Sequence, residues 1–221
     1  MKFYLAGLLT WISMEISGQT LPKNEPLKFL ALGDSYTIGE SVAEDQRWPV
    51  QLMKVLTEKG YKCHTPRIIA TTGWRTDDLK IAIDARSLSK DYNLVSLLIG
   101  VNNQYQGKNA GEYAGEFEEL LNIAIQYAGD DKSKVFVISI PDYGFTPFGK
   151  SKQREISLAI DAFNALNKSI AEKKGVKYIN ITEISRQGLK DPELVAEDGL
   201  HPSGKMYALW VDRIMEKFKI D

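Results

Sequence analysis

From residue 27 onward the chain alternates short apolar runs with longer stretches in which apolar residues recur every three or four positions. The runs cover residues 27–32, 67–70, 94–99, 135–140 and 176–181. Most are continuously apolar, the pattern of a strand covered on both faces, as in a parallel sheet packed between helices. Helical spacing is clearest in Phe117, Leu120, Leu121, Ala124 and Ile125, then in Ile156, Ile160, Phe163, Leu166 and Ile170, and last in Met206, Leu209, Trp210, Ile214 and Phe218. Each stripe predicts a helix with one buried face. Gly129 and Gly175 follow the first two stripes, where a left-handed residue ends a helix. The alternation predicts stacked βαβ units with five parallel strands.

The first 26 residues stand outside this alternation. Met1-Lys2 leads into a mostly apolar stretch over residues 3–14, shorter than the ~20 residues that cross a bilayer. With Gly18, and Ile16 two positions before it, the stretch has the form of a signal peptide over residues 1–18, although Glu15 is an unusual charge so close to the apolar run. A buried N-terminal strand or helix is the alternative. Export predicts a periplasmic or secreted protein with no stable membrane anchor; an uncleaved segment would leave it cytoplasmic. Pro22, Asn24 and Pro26 predict a flexible lead over residues 19–26. Residues 27–221 then form a single domain, as a chain of 221 residues suggests.

Composition narrows the chemistry. Lys plus Arg number 28 and Asp plus Glu 29, a net charge of −1, so no basic face for nucleic acid is implied. Cys63 is the single cysteine and cannot form an internal disulfide; with only two histidines, His64 and His201, no Cys/His zinc cluster can assemble. Composition leaves a carboxylate metal site open, but no metal or organic cofactor is expected. Ligands of an open parallel sheet bind at the carboxyl ends of its strands, which directs attention to the loops over residues 33–40, 72–75, 100–103 and 198–203. They hold a serine, a histidine with an acid three residues before it, and several hydrogen-bond donors.

That set is suited to acyl transfer. A serine hydroxyl becomes a nucleophile at neutral pH only when a base takes its proton, and His201 can act on Ser35 in this way. Asp198, holding the other ring nitrogen, would fix the tautomer and stabilise the imidazolium. For the oxyanion, the backbone N–H groups of Ser35 and Gly73 and the amide of Asn102 are available donors. Asp34 reads as structural, orienting its loop through backbone hydrogen bonds. His64 reads as structural or solvent-facing and Cys63 as a small buried hydrophobe. Neither a G-x-S-x-G elbow, since Thr37 stands two after Ser35, nor a dinucleotide or P-loop glycine pattern is present at residues 33–40.

The four segments resemble the SGNH, or GDSL-type, family of esterases and lipases from about Leu27 to the C-terminus. Gly33-Asp34-Ser35 is similar to the family's first block, with Tyr36 in place of its leucine. Gly73 and Asn102 match the second and third blocks, and Asp198 with His201 the last; Asn103 departs from the pattern, which has aspartate there. The resemblance implies a three-layer α/β/α fold, a central five-stranded parallel sheet of flavodoxin-like order, and a Ser35–His201–Asp198 triad acting on a small-molecule ester, an acyl ester or an acetylated sugar. Asn103 is expected to perturb local hydrogen bonding without abolishing catalysis. The competing readings are a non-catalytic glycan- or lipid-binding module on the same fold and an O-acetyl transferase using the same serine. Trp74, Tyr105, Tyr143, Phe145 and Phe148 lie in or near the same loops and are candidates to line an acyl groove or stack on a sugar.

Overall fold

The computed structural model describes residue 21 and residues 24–218. The segment read as a signal peptide lies outside the described residues. Five strands form one parallel sheet: β1 (Phe29–Gly33), β2 (Arg67–Ala70), β3 (Leu94–Leu98), β4 (Val135–Ile138) and β5 (Lys177–Ile179). Their order is β2-β1-β3-β4-β5, the flavodoxin-like arrangement expected. All five apolar runs become strands. The central strands β1, β3 and β4 are buried along their whole length, whereas edge strand β2 begins exposed at Arg67.

Among the described residues, eight α-helices follow in chain order: α1 (Ser35–Ile38), α2 (Trp48–Glu58), α3 (Thr76–Asp84), α4 (Val101–Tyr105), α5 (Ala110–Tyr127), α6 (Gln153–Lys174), α7 (Thr182–Ser185) and α8 (Gly204–Phe218). Helices α2 and α8 pack together on one face of the sheet; α5, flanked by α3 and α6, covers the other. Right-handed crossovers require this division, because the chain moves outward from β1 to β2 and then returns past β1 to β3. The reversal opens a crevice between β1 and β3 at their carboxyl ends. On the α2/α8 face Phe29 meets Trp48 at 5.8 Å and Phe136 meets Phe218 edge-on at 4.9 Å between ring centroids.

All five residues of the α5 stripe are buried, as are Ile156, Ile160 and Phe163 of α6. Leu209 of the α8 stripe is instead 37% exposed. It lies about 100° around the helix from Trp210, and Tyr207 and Val211 complete the buried face in its place. Within the segment read as a lead, Leu21 is buried among the core hydrophobics. Cys63 is only half-buried, because it sits where an isolated bridge to Leu27 ties the approach to β2 against β1; His64 is exposed.

Candidate active site

The four loops identified from sequence lie at the carboxyl edge of the sheet. Ser35 opens α1 just after β1 and is buried. Its N–H is one of the helix-start amides with no partner inside the helix. Asp34 caps that start, accepting from the Tyr36 N–H at 3.1 Å. Fully buried, its carboxyl is pushed up to about 7, against the opposing pull of hydrogen bonds from the backbone of Tyr36, Asp34 itself and Gly100. The Gly100 contact joins the serine loop to the loop after β3. Gly100 has a φ of +127°, and a Cβ there would fall 2.4 Å from the Tyr113 hydroxyl, so only glycine lets the chain enter α4 at this angle.

His201 is buried and lines the same cavity as Ser35, and its Nδ1 lies 2.6 Å from Asp198 Oδ2. Asp198 Oδ1 accepts the backbone N–H groups of Leu200 and His201, each at 2.9 Å, so the three-residue spacing folds the carboxylate back onto the ring that follows it. Partial burial works to raise the Asp198 pKa, but hydrogen bonds from Ser41, His201 and the two backbone amides outweigh it and hold the group well below the usual carboxylate range. The Ser41 hydroxyl donates to Asp198 Oδ2 at 2.6 Å. Ser41 was not indicated by any motif. It is a non-glycine residue at φ +64°, and nothing in the sequence marks its partner 157 positions away. The imidazole also meets the Tyr36 ring edge-on, ring centroids 5.8 Å apart.

Asn102 lies in the first turn of α4 and donates through Nδ2 to the Trp74 carbonyl at 2.9 Å, which joins the third loop to the second. One amide hydrogen remains. Gly73 is exposed, at φ +86°, in a turn closed by the Trp74 N–H on the Thr71 carbonyl. Asn103 is buried and binds Thr76 twice: Oδ1 accepts from the Thr76 N–H at 3.2 Å and Nδ2 donates to the Thr76 hydroxyl at 2.6 Å. That hydroxyl passes its own hydrogen to Glu116. An amide in place of the expected aspartate therefore starts a relay through Thr76 to α5.

Ser35, Tyr36, Asn102 and His201 border one cavity of about 180 Å³, whose outer wall is made by Tyr105, Tyr143 and Phe148. Trp74 and Phe145 do not line it. The Trp74 side chain packs on the core, and Phe145 lies under the Arg186 guanidinium, 5.9 Å from its ring centroid. Among the described residues, no three His, Cys, Asp or Glu side chains gather closely enough to hold a metal ion, and no helix is long and apolar enough to cross a membrane.

A parallel α/β/α sheet here carries a serine, an aspartate–histidine pair and amide donors at one carboxyl edge. The sequence matches the model of the GDSL-like lipase/acylhydrolase family over residues 31–209, and the chain belongs to that family. No curated protein matches it. Solved structures that resemble it include a member of the lipolytic protein G-D-S-L family from Veillonella parvula, with 18% identity, 88% of this chain and 100% of that one covered, and a TM-score of 0.68. The lipase/acylhydrolase from Enterococcus faecalis shares 21% identity over 87% and 95% of the two chains, with a TM-score of 0.66. Axe2, an acetylxylan esterase from Geobacillus stearothermophilus, shares 17% over 88% and 95%, with a TM-score of 0.65. At these identities the likeness carries the fold alone.

Proposed function

We propose that the protein is a serine-dependent carboxylic ester hydrolase working through an acyl-enzyme. The observation that carries this reading is the shared cavity: Ser35 and His201 open onto it together, with Asp198 2.6 Å behind His201 Nδ1. With Nδ1 engaged by the carboxylate, Nε2 is the nitrogen left to take the Ser35 proton as Oγ attacks the ester carbonyl. The imidazolium then returns that proton to the departing alcohol. A water, deprotonated by the same nitrogen, attacks the acyl-enzyme and releases the acid. The Ser35 and Gly73 N–H groups and the remaining Asn102 amide hydrogen are the donors for the oxyanion. Residues 1–18 are proposed as an export signal; mass measurement of the secreted chain should then find Gln19 at its N-terminus.

The mechanism is tested with chromogenic esters from acetyl to octanoyl, comparing the wild-type protein with Ser35→Ala. Hydrolysis by the wild type and a loss of at least about 10³-fold in the variant is expected; equal rates in both would refute the role of Ser35. Because His201 must be neutral to act, kcat/KM should fall on acidification. Asp198, held well below the usual carboxylate range, stays charged and keeps its contact with Nδ1 over this interval. A rate independent of pH from about 5 to 8 would contradict this.

A further inference from the structure

The aromatic wall of the catalytic cavity has a second side. Tyr105, Tyr143 and Phe148 also border a neighbouring cleft of about 410 Å³, whose remaining lining includes Gln104, Lys152 and Glu155. The three rings form a near-equilateral cluster, with centroids 6.2 Å apart for Tyr105–Tyr143 and 6.4 Å for each pair involving Phe148. Tyr105 is 60% and Phe148 53% exposed, an unusual cost for large rings unless something covers them. The cluster is also firmly held. Tyr143 donates its hydroxyl to Gln104 Oε1 at 3.0 Å, its carbonyl accepts the Thr146 hydroxyl at 2.7 Å, and the Phe148 N–H donates to the Gly199 carbonyl at 3.0 Å, within the loop that carries Asp198 and His201.

From this arrangement we infer that the exposed rings and the polar cleft behind them form a subsite for a saccharide, the alcohol portion of the ester. The inference rests on the hydrolase reading above. A pyranose ring offers polarised C–H bonds on its faces and hydroxyls around its edge. The faces suit the electron-rich rings of Tyr105 and Phe148. The edge suits Lys152 and Glu155, neither of which is engaged in an ion pair among the described residues, and the Gln104 amide, whose oxygen is already taken by Tyr143. A long acyl chain fits this side poorly, because covering the same cleft with methylenes would strip water from an ammonium and a carboxylate without replacing their hydrogen bonds. The acyl group then occupies the smaller catalytic cavity, whose size favours a short chain such as acetyl.

The experiment holds the acyl group constant and changes the alcohol. Wild type, Tyr105→Ala, Phe148→Ala and Lys152→Ala are assayed on an acetylated methyl glycoside, on ethyl acetate and on an octanoyl ester. The aromatic variants should lose about tenfold more kcat/KM on the sugar acetate than on ethyl acetate, chiefly through KM. Equal losses on the two acetates would overturn the subsite, and a loss confined to the octanoyl ester would assign the wall to an acyl chain instead. Saturation-transfer NMR with an unacetylated xylo-oligosaccharide and Ser35→Ala protein, with and without Tyr105→Ala, tests binding without turnover. Signal that disappears with the Tyr105 ring supports the subsite even if no ester is hydrolysed, which would count against the hydrolase reading alone; absence of signal in both proteins overturns the subsite.

Discussion

At the scale of single residues, the least expected feature is the backbone of Ser41. A serine in the left-handed region costs about 1 kcal/mol relative to glycine, and Ser41 adopts it while aiming its hydroxyl at Asp198 Oδ2. The same oxygen faces His201 Nδ1, so Ser41 sets where the carboxylate sits and how tightly it holds the ring. In the proposed mechanism it is a positioning residue, acting through Asp198. Replacing it by alanine or glycine removes the same hydrogen bond, and both variants should lose about three- to tenfold in kcat. Stability should separate them. Glycine relieves the strained backbone and alanine does not, so Ser41→Gly should be about 1 kcal/mol more stable than Ser41→Ala in a urea titration. Equal activity to wild type in both would leave the hydroxyl without a role in orienting Asp198.

At the scale of elements, the junction between α3, α4 and α5 hangs on the relay Asn103–Thr76–Glu116. Its side-chain hydrogens point one way, from the Asn103 amide to the Thr76 hydroxyl and on to the Glu116 carboxylate, while the Thr76 N–H returns one to Asn103 Oδ1. An aspartate at this position has no hydrogen to give. Thr76 would then have to satisfy two carboxylates with one O–H, so Asn103→Asp should cost about 1–2 kcal/mol at neutral pH. Adding Glu116→Gln reverses the chain, with the glutamine donating to Thr76 and Thr76 to the new aspartate. Recovery of at least half the loss in the double variant, measured as a coupling energy by denaturant unfolding, is the expected outcome.

The elements differ in how plainly the sequence announces them, and the reason is what each one covers. Strands β1, β3 and β4 are buried on both sides, so their runs are continuously apolar and legible. Helices α5 and α8 carry stripes because one whole face rests on the sheet or on other helices. Helix α3 shows little periodicity: beside Asp77, Asp78, Lys80 and Asp84 its buried apolar residues are only Leu79, Ala82 and Ile83, since a narrow side meets α5 and β2. The site follows the same division. Ser35, Asn102, Asp198 and His201 belong to short local blocks, and it is the blocks' resemblance to the family's that makes them legible. Ser41's contact with Asp198, and the cleft that Tyr105 shares with Lys152, exist only after distant loops meet. Trp74 and Phe145 have the right chemistry and location in the chain, yet one turns to the core and the other to Arg186.

For the molecule as a whole, the consequence of building a site at the β1/β3 crevice is a carboxyl group sealed inside it. Asp34 is fully buried, and its Oδ2 has no hydrogen-bond partner among the described residues. Burial raises its pKa to about 7 in the folded chain, whereas the unfolded chain returns it to the ordinary carboxylate range, ~3.9. The folded state therefore binds this proton more tightly than the unfolded state. Asp34's contribution to stability is complete below the unfolded value, declines as pH rises through the interval, and is lost above about 7. The side-chain amide of the Asp34→Asn variant still offers an oxygen to the Tyr36 N–H but has no proton to lose. Whatever the variant's absolute stability, the Tm of the wild type should fall relative to it by about 5 °C or more between pH 5 and pH 8. Parallel profiles would mean that the site accommodates the charged carboxylate, with water or a shifted backbone amide reaching Oδ2. In that case the crevice behind Ser35 is wetter than its close packing implies, and the serine loop is held by its backbone hydrogen bonds alone.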